Sequence, residues 1–250
     1  LSALPLLYHH QQKAMNKMQK GDFIVKTIVT TEVIKKIADK QQIEMRDCYT
    51  GFKWIAREIA ISEGKQQYIG GGEESYGFLA QDFVRDKDAV SACSLLAEIC
   101  AYAKDQGKTL YDLLMDVYME YGFSRETTIN VVKPGKSGAD EIKQMMTNFR
   151  NNPPQEIGGS KVVVCKDYQT LELTQADGSK QPIDMPTTSN VLQWFCEDET
   201  KISVRPSGTE PKIKFYIEIK DNDMTSAQQY EDCMKKADAK VEAIKKSLNI

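Results

Sequence analysis

Between residues 23 and 121 the chain switches repeatedly from β-branched runs to helical spacing, and this switching restricts it to few folds. Residues 23–30 (FIVKTIVT) form a continuous apolar, β-branched run, which predicts a buried strand. Residues 31–40 follow as a helix with Val33, Ile34 and Ile37 on one face. A second helix is expected from about Thr50, with Thr50 as its N-cap. It should turn Trp54, Ile55, Ile59 and Ala60 inward and end at Gly64. A short strand at 67–69 runs into the glycine-rich segment 70–77. Residues 88–103 are apolar nearly all round, which predicts a helix buried between layers. Another helix over 109–121 stops at Gly122. Strand and helix alternating in this way imply an α/β fold with a parallel or mixed sheet and crossover helices.

The remainder has a different texture. Strands are expected at 126–132, 161–166, 191–195, 201–204 and 213–220, with a helix at 137–149 and a break at 151–154. Asp177-Gly178 marks a hairpin turn. The last helix, 226–248, places Ala227, Tyr230, Met234, Ala237, Val241, Ile244 and Leu248 at 3-4-3-4 spacing. That stripe is read as packing on the chain's own sheet, with a coiled-coil seam as the alternative. A domain boundary is expected near residues 122–125.

Composition excludes several classes of function. Of 250 residues, 33 are basic and 36 acidic, a net charge of −3, and 41% are apolar, which suits a globular protein with a core. With a pI near 5.6 there is no basic field to gather nucleic-acid phosphates, so no nucleic-acid partner is expected. No apolar run reaches the roughly 20 residues of a membrane span, and no membrane partner is expected. The six cysteines (48, 93, 100, 165, 196, 233) contain no C-x-x-C pair. They are read as reduced, mostly core thiols of a cytoplasmic protein. The only histidines, His9 and His10, are adjacent, so no triad or His-rich metal site is expected elsewhere.

Two loops carry chemistry. In the first, Gly70 to Gly72 precede Glu73, Glu74, Ser75, Tyr76 and Gly77. Glycines permit a tight turn and close ligand approach, while carboxylates and a hydroxyl at a strand end can bind sugar hydroxyls. A solvated surface turn has the same composition. The second loop is Arg205-Pro206-Ser207-Gly208-Thr209-Glu210-Pro211, with Lys212 and Lys214 behind it. An arginine fork, two hydroxyls and the amides around Gly208 make an anion nest, and an ordinary Pro-Gly hairpin is the alternative. Lys87, in Arg85-Asp86-Lys87-Asp88, is either a surface charge at a helix entry or, if partly buried, an acid/base group. Residues 50–54 (TGFKW) form a helix start whose backbone and Lys53 can also edge a cleft.

Four segments together, TGFKW at 50–54, GGEESYG at 71–77, RDKD at 85–88 and RPSGTEPKIKFY at 205–216, resemble the α-D-phosphohexomutases. The family comprises phosphoglucomutases and phosphomannomutases, and the segments occur in order over about two thirds of the chain. GEES followed by Tyr-Gly, with TGFKW, is nearer the phosphoglucomutase/phosphopentomutase branch than the GEMSGH-like loop of phosphomannomutases. Family members have four domains around one cleft, with a phosphoserine loop in the first and an aspartate-rich Mg²⁺ loop in the second. Neither a T-A-S-H-N-P loop nor a D-x-D-x-D-R loop occurs here, and the chain opens on leucine. The resemblance therefore implies a C-terminal half. Residues 1–123 would be the third, mixed-sheet α/β domain. Residues 124–250 would be the smaller α+β fourth domain, a TBP-like antiparallel sheet with helices on one face.

By the same resemblance, the complete enzyme interconverts hexose 1-phosphate and hexose 6-phosphate through a phosphoserine, with glucose 1,6-bisphosphate as intermediate and activator. Glu73, Ser75, Thr50 and Gly51 match positions that hold the sugar. Arg205, Ser207, Gly208, Thr209 and Lys214 match positions that grip the non-transferring phosphate, Lys214 standing where some members have arginine. Lys87 matches a proposed general acid or base, and Glu74 has no assigned role. Mg²⁺ would bind the full-length enzyme through ligands outside this chain, so no metal ligand is expected here. The implied partners are a phosphosugar and the N-terminal domains of the same polypeptide, without which the fragment should be inactive. A phosphopentomutase, a bisphosphate synthase or a non-catalytic phosphosugar-binding module are the alternatives.

Overall fold

The computed structural model describes residues 4–250, except for the side chain of Lys136. The chain divides into two compact units, residues 1–124 with 221–230 and residues 125–220 with 231–250.

The first unit is built on a four-stranded sheet in the order β2-β1-β3-β4. Its strands are β1 (Phe23–Thr27), β2 (Glu44–Cys48), β3 (Tyr68–Gly72) and β4 (Phe78–Ala80). β1 runs parallel to β2 and β3, and β4 returns antiparallel, so the sheet is mixed. The helices are α1 (Leu4–Ala14), α2 (Val33–Gln41), α3 (Phe52–Ser62), α4 (Ala89–Asp105) and α5 (Leu110–Tyr121). α3 packs Phe52, Ile55 and Ile59 onto Phe23, Val25, Cys48, Tyr68 and Leu79. Each such fully buried side chain contributes roughly 1.5–3 kcal/mol. On the other face α1 lies against β3 and gathers α2, α4 and α5 around it. A Cβ on Gly70 would stand 3.0 Å from the Tyr8 ring and 3.1 Å from that of His9, so the glycine lets α1 seat close to the sheet.

Several expectations are corrected. β1 ends at Thr27, and residues 28–32 form the turn into α2, because the backbone of Thr30 bonds back to Thr27. Gly70, Gly71 and Gly72 belong to β3 and make no turn. A Cβ on Gly71 would lie 2.5 Å from the Val25 carbonyl oxygen and 2.7 Å from the Tyr68 hydroxyl, so only glycine permits this strand spacing. α3 is capped by Gly51 rather than Thr50 and ends at Ser62. Trp54 is half-buried and Ala60 exposed, since the inward line follows Phe52, Ile55 and Ile59. α4 is not buried between layers, for only Ile99 and Ala103, one turn apart, are fully covered. Its exposed surface carries small residues, alanine, serine and cysteine, together with Val90 and Leu96. The thiols divide likewise: Cys48, Cys196 and Cys233 are buried, but Cys93 and Cys100 on α4 are exposed.

The second unit holds a sheet in the order β5-β12-β11-β10-β7-β8-β9, with β6 paired to β7. These strands are β5 (Phe123–Val132), β6 (Glu156–Ile157), β7 (Ser160–Asp167), β8 (Glu172–Gln175), β9 (Lys180–Pro182), β10 (Leu192–Cys196), β11 (Lys201–Pro206) and β12 (Lys212–Asp221). β7 to β12 pair antiparallel, and Asp177-Gly178 turns the β8–β9 hairpin. Strand alternation sorts the residues by face. Leu192, Trp194, Ile202, Val204, Ile213, Phe215 and Ile217 form a buried apolar face, and Phe149 of α6 (Gly135–Asn151) packs edge-on against Trp194 and Phe215. The opposite face carries Gln193, Ser203, Arg205, Lys214 and Tyr216. The final helix α7 (Tyr230–Leu248) buries Cys233, Ala237, Val241, Ile244 and Leu248. Cys233 rather than Met234 continues that line. Ala227 and Tyr230 belong to the first unit, where the Tyr230 ring contacts Tyr111, Tyr118 and Phe123. No described helix is long and apolar enough to cross a membrane.

Candidate functional site

Three parallel strands bring three loops to one edge of the first sheet, the carboxyl ends where open α/β sheets receive ligands. β1 delivers residues 28–32, β2 delivers 49–51, and β3 delivers 73–77. Glu73 and Gly77 close the β3–β4 connection through a backbone bond of 2.8 Å, with Tyr76 at φ 66° and its ring exposed.

The two glutamates tie this edge together. The Gly51 backbone N–H donates to Glu73 Oε1 over 2.6 Å, and the Thr31 N–H donates to Glu74 Oε1 over 3.2 Å. Gly51 adopts φ 110°, a conformation that favours glycine and aims its N–H at the carboxylate. The other Glu73 oxygen, Oε2, lies 3.0 Å from where a Cβ on Gly77 would stand. The Lys87 side chain borders the same spot, with Cδ 3.2 Å from that position and Nζ 5.7 Å from the centre of the Phe52 ring. The structure thus brings Gly51, Glu73, Gly77 and Lys87 together. Thr50 is half-buried beside Gly51, and Ser75 is exposed at the loop tip. By exposure Lys87 matches the surface-charge alternative, its side chain being 56% exposed and paired with Asp86 at 3.2 Å, and the acid/base alternative rests on the resemblance. Lys53 is also exposed, its ammonium over the Trp54 ring.

Sequence reasoning missed Lys26 at this edge. It stands near the end of β1, fully buried, with Nζ 2.9 Å from Glu32 Oε1 and 2.7 Å from Asp47 Oδ1. The available signal was one lysine inside an otherwise apolar, β-branched strand.

In the second unit the β11–β12 hairpin carries the other loop. Arg205 and Lys214 are directly opposite in register, which places two cations side by side on the polar face. The loop is drawn in by the Ser207 N–H donating to the Lys212 carbonyl at 2.8 Å. The Thr209 N–H reaches Ser207 Oγ at 3.4 Å, and Gly208 is exposed, with open space where a Cβ would stand. The Lys133 N–H holds the Pro211 carbonyl at 2.9 Å, and Glu210 pairs with Lys212. A cleft of about 380 Å³ opens beside the hairpin, lined by Ser207, Lys212, Met146 and Arg150 among others, and Arg205 and Lys214 are not in its lining. A cavity of about 550 Å³ farther along the sheet contains none of the expected site residues. Among the described residues, no group of three or more His, Cys, Asp and Glu side chains is placed to hold a metal ion.

Comparison with known proteins agrees with this architecture. The family model for phosphoglucomutase/phosphomannomutase, alpha/beta/alpha domain III, matches residues 2–121. A phosphoglucomutase of Staphylococcus aureus (strain MRSA252) is 40% identical over 230 residues, covering 92% of this chain and 41% of that protein. One from strain bovine RF122 / ET3-1 is 40% identical over 221 residues, covering 88% and 39%. The chain therefore spans about two fifths of the length of these relatives. Among solved structures, the Paramecium exocytosis-sensitive phosphoprotein pp63/parafusin, a phosphoglucomutase in its open form, superposes with a TM-score of 0.59 at 17% identity, covering 99% of this chain and 42% of that one. A phosphoglucomutase/phosphomannomutase family protein from Burkholderia thailandensis gives 0.54 at 15% identity, covering 98% and 41%. At those identities the likeness is one of fold. With a parallel-edged sheet ending in GEES, an antiparallel sheet ending in RPSGTEP, and these relatives, the chain belongs to the phosphoglucomutase/phosphomannomutase (α-D-phosphohexomutase) family and carries its third and C-terminal domains.

Proposed function

We propose that this chain supplies the sugar-holding edge and the phosphate-holding hairpin of a phosphoglucomutase. That enzyme would interconvert hexose 1-phosphate and hexose 6-phosphate through glucose 1,6-bisphosphate. The observation that carries the reading is the Gly51–Glu73 bond, which joins the TGFKW and GEES segments beside Lys87. An isolated surface turn would have no reason to tether the start of a helix twenty-two residues upstream.

In this reading Glu73 uses one oxygen to fix the edge and offers the other to sugar hydroxyls, which donate to a carboxylate from either end of a hexose ring. Ser75 and Thr50 add hydroxyl partners at the rim. Lys87 carries a proton to or from the reacting hydroxyl, reaching over the Phe52 ring. Arg205 supplies a planar fork for two phosphate oxygens and Lys214 a point charge beside it. The hydroxyls of Ser207 and Thr209 and the amides about Gly208 complete the anion grip. Phosphoryl transfer needs positioning and cationic stabilisation. The phosphoserine and the Mg²⁺ ligands belong to the part of the enzyme outside this chain, so binding without turnover is expected of the chain alone.

An NMR titration of the labelled chain with glucose 1-phosphate tests this, with Arg205→Ala as control. Shifts at residues 50–51, 73–77 and 205–214, with the last group lost in the control, are expected. Shifts confined to other surfaces, or unaffected by the substitution, would overturn the assignment of the phosphate grip.

A further inference from the structure

Lys26 occupies an unusual place for a charge. Its side chain is fully buried in an inner strand of a small sheet, in register with Asp47 on one side and with Gly72, the last residue of β3, on the other. It makes two ion pairs, to Glu32 Oε1 at 2.9 Å and to Asp47 Oδ1 at 2.7 Å. Burial works against the ammonium, but Asp47 and Glu32 outweigh it, so its pKa is raised and the charge persists.

The two acidic partners lie at the roots of two different loops. Glu32 directly follows Thr31, whose N–H is held by Glu74. Asp47 lies four residues before Gly51, whose N–H is held by Glu73. Each loop is therefore gripped twice, from the rim by a GEES glutamate and from inside the sheet by Lys26. Buried ion pairs contribute little net stability, because desolvation offsets most of the attraction, and an apolar residue of similar volume does as well or better. What an apolar residue cannot do is hold two carboxylates at a set separation.

We propose that Lys26 is a positioning residue for the sugar-holding edge: by clasping Glu32 and Asp47, it sets the spacing of the Thr31 and Gly51 loops and so the aim of Glu74 and Glu73. The role it serves rests on the reading of that edge given above, but the clasp can be measured without any sugar. The experiment is residue-resolved amide hydrogen exchange on the full chain. In Lys26→Met, exchange at Thr31 and Gly51 should accelerate at least tenfold while amides within β1 and β3 keep their rates, and Lys26→Arg should restore both loops. Unchanged exchange at both loops, or a uniform rise across the whole unit, would overturn the proposal.

Should Lys26→Met unfold the unit, variants that break one arm carry the test. Glu32→Gln should loosen Thr31 alone, and Asp47→Asn should loosen Gly51 alone. Loss of both loops together in each, or of neither, contradicts a two-armed clasp. Titration with glucose 1-phosphate adds the functional arm, with binding weakened about tenfold in Lys26→Met and recovered in Lys26→Arg. Equal affinity in all three chains would overturn positioning. A wild-type chain that binds no glucose 1-phosphate would count against the proposed function, while the exchange rates would still judge Lys26.

Discussion

The backbone N–H of Gly51 donates to the carboxylate of Glu73 over 2.6 Å, joining the start of α3 to the loop that follows β3. A hydrogen bond to a charged acceptor is worth roughly 1.5–3 kcal/mol. Glu73→Ala should release Gly51 by about that amount, seen as faster exchange of its amide. Glu73→Gln keeps a neutral acceptor and should recover part of the protection, yet still bind glucose 1-phosphate at least tenfold more weakly. Full protection of Gly51 in Glu73→Ala would show that the tether does not hold the turn.

Gly71 and Gly77 should respond differently to one added methyl group. At Gly71 the new carbon meets the Val25 carbonyl at 2.5 Å, a backbone atom in a central strand that cannot step aside. Overpacking of this kind typically costs about 1–3 kcal/mol, and Gly71→Ala should reach or exceed the upper end in urea unfolding of the first unit. At Gly77 the two nearest contacts, the Glu73 carboxylate at 3.0 Å and Lys87 Cδ at 3.2 Å, belong to flexible side chains, and the buried Phe52 ring stands at ordinary contact distance, 3.4 Å. Gly77→Ala should leave stability within about 1 kcal/mol and lower affinity for the sugar. Equal stability losses would mean that the strand spacing adjusts to fit.

His9 is fully buried among Tyr8, Phe78 and Gly70, neither ring nitrogen has a hydrogen-bond partner among the described residues, and burial pulls its pKa down to about 3. Unfolded, it titrates near 6.5. The unfolded state therefore binds the proton first as pH falls. The contribution is complete above about pH 6.5 and is lost at roughly 1.4 kcal/mol per pH unit between 6.5 and 3. His9→Leu should flatten this part of the stability profile, leaving the carboxylate titrations. Parallel wild-type and variant profiles between pH 6.5 and 4.5 would contradict it.

In the second unit, Lys201 and Glu218 form a pair at 3.0 Å with side chains 2% and 3% exposed. Removing one partner of a buried pair typically costs about 3–5 kcal/mol, because the other charge loses its counter-ion where water does not replace it. Glu218→Gln should fall in that range by denaturant unfolding. The double variant Lys201→Met/Glu218→Leu should return close to wild type. A double variant as unstable as the single one would assign the pair a role in stability beyond charge compensation.

The order of strands and helices was legible because it depends on local spacing: β-branched residues at 23–27 and the alternation at 201–204 mark strands, although the equally β-branched 28–30 turn instead, and Gly122 ends α5 by its own φ of 92°. The positions of the two loop segments were equally legible, since GEES and RPSGTEP are consecutive residues that fall between strands. Burial was not. The apolar texture of α4 says nothing about how many sides a neighbour covers, and only Ile99 and Ala103 met one. Nor was the strand role of the three glycines visible, because it follows from how closely Val25 and α1 approach β3. Lys26 read as an interruption in a strand until the fold placed Glu32 and Asp47 on its ammonium. Residues 221–230 read as part of the second unit until their contacts put them in the first. Propensity, glycine and turn chemistry act over a few bonds, and so the sequence by itself determined the elements and the loops. Which distant groups meet depends on how those elements pack, and only the tertiary structure decided that.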